Sequence, residues 1–160
     1  MDADSFDEYR FTIPAFSHEA GSQQPAETSG AKGLEILVIF TDLSGTLAAL
    51  RTAEDLAQEL EACVRLVVPY EVPYALPLTQ PAVPVEFLEG QMRELASRIN
   101  LRVAAQICLC RDKRRVLNLL LPPQSLVVVG GKRRWWPTAA QKLARSIQKD
   151  GHRLIFAESR

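Results

Sequence analysis

The chain has 160 residues, 47% of them hydrophobic and 24% charged, the make-up of one soluble domain able to bury about 70% of its unfolded surface. Its zero net charge is unevenly spread: residues 1–33 carry six acids and two bases, which leaves thirteen acids and seventeen bases, or +4, for the remainder. The longest apolar runs, residues 36–40 and 126–129, fall far short of the roughly 20 residues that span a bilayer, so no membrane span is expected.

Three cysteines, Cys63, Cys108 and Cys110, cannot all pair. The opening Met-Asp-Ala-Asp-Ser has neither the basic start nor the apolar core of a secretory signal. A reducing, cytoplasmic setting is therefore expected.

In chain order, residues 17–33 (SHEAGSQQPAETSGAKG) are polar and small, without any apolar period. Such a segment cannot bury enough surface to offset the entropy of ordering. Residues 1–33 are expected to form a mobile tail. Its one apolar island, Tyr9–Phe16 (YRFTIPAF), is read as part of that tail, the alternative being that it docks on the body or on a partner.

From residue 34 to 160 the signals alternate and define one domain. LEILVIF (residues 34–40) reads as a buried strand, and residues 46–62 follow with Ala49, Leu50, Ala53, Leu56 and Leu60 on one helical face. CVRLVV (63–68) is a second strand. The connection after it, residues 69–84, holds five prolines in sixteen residues, which predicts a long, extended, semi-rigid loop of the kind that forms functional lids. A second helix repeats Val85, Leu88, Met92, Leu95 and Ile99 at three- and four-residue steps, with Asn100 as its C-terminal cap.

LRVAAQICL (101–109) predicts the third strand. A short helix follows, capped by Asp112 and ended by Pro122 and Pro123. SLVVVGG (125–131) is the fourth strand. Thr138 and Gln141 have capping-box spacing and open a helix with a stripe of Ala140, Leu143 and Ile147 that stops at Asp150 and Gly151. HRLIFAE (152–158) closes the chain as the fifth strand.

Five short apolar strands alternating with four helices predict an α/β fold: one five-stranded parallel sheet with helices on both faces. Every strand-to-helix loop then emerges on one rim, and ligands bind there where the winding reverses. That rim collects Asp42 and Ser44 from the first loop, Arg111, Lys113, Arg114 and Arg115 from the third, and Lys132, Arg133 and Arg134 from the fourth. Seven cations are thus expected on one edge. In the fourth loop Trp135 and Trp136 follow directly; Trp136 is expected to pack with Ala140 and Leu143 against the sheet, and Trp135 is either exposed or available to stack on a base.

This layout resembles the universal stress protein family over residues 35–158. Asp42 in FTDLSGTLAAL is similar to the aspartate that ends the family's first strand and contacts the nucleotide, with Ser44 in the following turn. SLVVVGG is similar to the family's DLIVVG strand, which leads into its phosphate loop. The resemblance implies a Rossmann-type sheet of the adenine-nucleotide-hydrolase kind, a cytosolic regulatory role in the stress response, and a homodimer through the last strand. It also implies a nucleotide site at Asp42, Val67 or Val68, and the Gly130–Gly131 loop.

The family's ATP-binding members carry G-x2-G-x9-G-S/T after the fourth strand. Here only Gly130 matches: the later positions fall on Arg133, Leu143 and Ala144. Glycines let backbone amides approach phosphate, and an arginine does not reproduce that geometry. ATP binding by the family's route is not expected, although ATP or AMP at Asp42 and Gly130 is kept as an alternative. A second alternative is that Lys132, Arg133 and Arg134 pair directly with phosphate, making the basic rim a polyanion or RNA-binding surface.

No catalytic role is expected. The two histidines, His18 and His152, have no nucleophile or orienting group nearby in the pattern. Cys108 and Cys110 fall on one face of a strand without a second ligand pair, so no metal site is expected and both are read as small buried side chains.

Overall fold

The computed structural model describes residues 9–16 and 33–160. Ten elements follow in order: β1 (Tyr9–Phe16), β2 (Glu35–Ile39), α1 (Leu43–Leu60), β3 (Cys63–Glu71), α2 (Val85–Ser97), β4 (Val103–Cys110), α3 (Lys113–Leu120), β5 (Leu126–Gly131), α4 (Ala139–Lys149) and β6 (Arg153–Glu158). One sheet contains all six strands in the order β1-β4-β3-β2-β5-β6. The five strands from β2 to β6 run parallel, as the alternating pattern requires.

The sixth strand is a departure from the sequence expectation. Tyr9–Phe16 is not tail: it pairs antiparallel with β4, in register from Tyr9 opposite Leu109 to Phe16 opposite Val103, with an irregularity between Ile13 and Phe16. An edge strand of a parallel sheet offers unpaired backbone groups, and an apolar, β-prone segment is the natural cover. The remainder of residues 1–33 expected to be tail lies outside the described residues, apart from Gly33.

Strand side chains alternate between two cores. Ile36, Val38, Leu66, Val68, Ile107, Leu109 and Val128 face α1 and α2. Leu37, Ile39, Val67, Val127 and Val129 face α3 and α4. Cys108 and Cys110 are buried against Val116 of α3, and among the described residues no cluster of three or more metal-ligating side chains exists. No helix of the described residues is long and apolar enough to cross a membrane.

The helix ends are set by local chemistry. Asp42 caps α1, Asp112 caps α3 through the amides of Arg114 and Arg115, and α4 opens with the full reciprocal capping box between Thr138 and Gln141. Gly151, at φ +90°, turns the chain after α4. Asn100 is not a cap. Arg98 ends α2, and the Asn100 amide donates to Glu54 Oε1 at 2.9 Å.

The proline-rich connection after β3 is not an extended lid either. It makes two turns, with Leu76 N–H donating to Pro73 O and Gln80 N–H to Pro77 O. Val72 and Leu78 are buried in the α1–α2 core. Buried apolar side chains fold the segment down onto that core.

Candidate anion-binding cleft

The winding reverses between β2 and β5. The chain proceeds from β2 to β3 and β4 on one side, then α3 carries it back across β2 to β5 and β6 on the other. The loops after β2 and β5 diverge at that point, and a cleft opens there between α3 and α4. Its volume is about 930 Å³, within the range of small-molecule sites.

Phe40, Thr41 and Asp42 form its β2 wall, and Pro69 and Glu71 come from the end of β3. Lys113 and Arg114 enter from α3, Lys132 and Arg134 from the loop after β5, and Lys142, Arg145 and Lys149 from α4. Seven cations thus face two carboxylates. None of the seven forms a salt bridge with another described residue. An excess of like charge around a concave wall focuses a positive potential, which favours an anion.

Each wall has a structural cause. Arg114 is anchored across the cleft by its Nη2, which donates to Ser146 Oγ at 3.1 Å and joins α3 to α4. Lys142, Arg145 and Lys149 recur at steps of three and four, so α4 presents them along one line beside its buried stripe of Ala140, Ala144 and Ile147. That spacing is legible in the sequence. The apolar stripe alone does not draw attention to it.

Asp42 is occupied as a cap. Its Oδ1 accepts from Gly45 N–H at 2.8 Å and from Ser44 Oγ at 2.8 Å. The Gly45 amide is the main cause holding its carboxyl below the ordinary value, against a smaller opposing effect of burial and with help from Ser44 and the charge of Lys132. Asp42 therefore stays ionised and orders the start of α1.

The expected nucleotide-loop residues are placed differently. Val67 and Val68 lie inside β3, one in each core and both at 2% exposure or less, so neither reaches the cleft. Gly130 and Gly131 are the last residues of β5, not a loop. A methyl on Gly130 would overlap the carbonyl of Gly45, and one on Gly131 would lie 2.6 Å from Ala140 Cβ. These glycines let α1 and α4 close onto the strand, and the helices that need them cover them.

The basic rim also divides. Lys113, Arg114, Lys132 and Arg134 meet in the cleft. Arg111 instead folds over the proline-rich segment: its guanidinium donates to the carbonyls of Val72, Pro73 and Leu76 at 2.9, 2.6 and 3.0 Å and lies 5.0 Å from the Tyr74 ring centre. Arg115 faces a shallower depression beside Asp112 and Asn118. Arg133 is exposed outside the cleft.

The expected packing of Trp136 does not occur. It is 79% exposed and Trp135 93%. Ala140 already sits against Gly131, so α4 packs too close to β5 to leave room for an indole beneath it. His152 is structural, its Nδ1 accepting from Ser125 N–H at 3.2 Å.

No family model matches the chain, and no curated protein matches it in sequence.

Proposed function

We propose that the protein is a binding domain without catalytic chemistry, of universal-stress-protein type, that holds a multiply charged anion at its switch point. The carrying observation is the seven cations and two carboxylates of the cleft between α3 and α4. Side-chain charge takes the place of the glycine amides used by ATP-binding members of that family. Arg and Lys suit this role because both pair with phosphate, Arg in a planar two-point fork.

The site chemistry supports binding over turnover. Thr41 Oγ1 donates to Gly130 O at 2.7 Å and Asp42 is held by Ser44 and Gly45, so this hydroxyl and this carboxylate of the β2 wall are both committed to the fold. The deciding experiment is calorimetric titration with inorganic pyrophosphate, ATP and AMP on the native chain and on Lys142→Ser/Arg145→Ser. Pyrophosphate binding that weakens at least tenfold in the variant is expected. Absence of binding by any of the three would overturn the reading.

The same reading includes pairing of two copies through β6, an edge strand whose Leu154, Ile155 and Phe156 are only half-buried. Light scattering at tens of micromolar is expected to give twice the chain mass, and a strict monomer would remove the dimer from the proposal.

A further inference from the structure

The loop between β5 and α4 has two sides. Lys132, Arg134 and Thr138 line the cleft. Arg133, Trp135 and Trp136 are exposed and lie outside it. Consecutive Cα atoms are about 3.8 Å apart, so the Cα atoms that carry both indoles lie within about 8 Å of the Arg134 Cα. The chain has two tryptophans, and the fold places both in water, where neither contributes to the core.

Resting on the reading of the cleft as an anion site, we infer that its ligand is single-stranded nucleic acid, with backbone phosphates paired to the cleft cations and successive bases stacked on Trp135 and Trp136. Base stacking on aromatic side chains beside a positively charged groove is a general way to hold a single strand without reading its sequence. A free mononucleotide inside the cleft leaves the indoles unused, because neither of them lines it. A strand leaving the cleft over that loop reaches both.

Two other occupants fit the observations less well. Two indoles supply about 300–500 Å² of contact, well below the roughly 800 Å² that each partner gives to a stable protein interface. An anionic bilayer is flat, whereas these seven cations line a concave cleft. A flexible polyanion enters a cleft.

The test uses the full chain and fluorescein-labelled oligo(U) and oligo(dT) of about twelve nucleotides, within the site sizes of single-strand binders. Anisotropy reports affinity, and tryptophan fluorescence reports stacking directly, because both indoles are in the loop. Binding with strong quenching is expected. If three phosphates are contacted, affinity should fall about twentyfold between about 50 and 200 mM salt. Trp135→Ala/Trp136→Ala should weaken binding at least tenfold, and Lys142→Ser/Arg145→Ser should flatten the salt dependence. A difference between the two oligonucleotides assigns RNA or DNA.

Pyrophosphate binding without oligonucleotide binding would overturn this inference and leave the anion site standing. Oligonucleotide binding that neither quenches the indoles nor depends on them would also overturn it. So would failure to bind either oligonucleotide together with a tryptophan blue shift on vesicles of phosphatidylcholine and phosphatidylserine. Both indoles are exposed, so their replacement is not expected to unfold the chain, and circular dichroism checks this.

Discussion

Gly45 and Gly130 meet backbone to backbone. The first turn of α1 rests directly on the end of β5, so a methyl on Gly45 would stand 2.5 Å from the Gly130 carbonyl oxygen. Thr41 fastens the same junction through its hydroxyl, which donates to Gly130 O. The contact ties the loop after β2, which supplies Thr41 and Asp42 to the cleft wall, to the strand across the switch point.

Gly130→Ala should destabilise the fold by about 3 kcal/mol, the upper end for overpacking, because the obstacle is backbone and cannot rotate away. Gly90, inside α2 with nothing within 4 Å of an added methyl, is the control. Gly90→Ala should stabilise by about 0.5–1 kcal/mol through helix propensity. Urea denaturation of both variants gives the comparison, and equal midpoints would contradict the close approach.

Trp135→Ala and Trp136→Ala should each leave stability within about 0.5 kcal/mol, as for surface positions that make no structural contact. Burial of Trp136 would instead make its loss cost about 3 kcal/mol or more. Denaturation midpoints of the single variants separate the two cases.

Asp42 predicts a pH dependence of definite sign. Its carboxyl titrates below the ordinary value in the folded chain, so the stability it contributes is present above the unfolded carboxylate range. That contribution is lost as pH falls through the folded value. Asp42→Asn retains a capping acceptor and should flatten this part of the acid limb, while Asp42→Ala should cost about 1 kcal/mol at neutral pH. Denaturation repeated from neutral to acidic pH checks both, and an unchanged acid limb in Asp42→Asn would contradict the assignment.

Arg111 should act on stability and not on ligand. Removing a charged donor from three carbonyls should cost about 1.5–3 kcal/mol, and Arg111→Lys should restore little because an ammonium cannot reproduce the planar fork. Hydrogen exchange in residues 72–84 should accelerate in Arg111→Ala. Pyrophosphate affinity should stay within about twofold of the native chain, a change of roughly 0.4 kcal/mol.

What the sequence determined by itself was whatever depends on near neighbours along the chain. The five parallel strands follow from short apolar runs separated by helical periods, and the caps at Asp112 and at Thr138–Gln141 follow from hydrogen bonds that span two or three residues. The apolar pattern also implied buried cysteines in β4, because alternate residues of a covered strand face one core or the other.

Tertiary structure decided the rest, because the deciding contacts join residues far apart in the chain. Tyr9–Phe16 becomes a strand only when the β4 edge lies beside it. Gly130 reads as part of a phosphate loop until Gly45, eighty-five positions earlier by subtraction, is found against it. Arg111 looks like one more rim cation until the folded proline-rich segment offers it three carbonyls. Trp136 looks like core by its residue type, yet the Ala140–Gly131 contact closes the space it would fill. The cleft itself exists because α3 and α4 are laid side by side by a crossover that reverses the winding, which brings Lys113 and Arg114 opposite Lys142, Arg145 and Lys149. Local pattern fixes which elements form, but only the packing of those elements fixes which charges share a cavity.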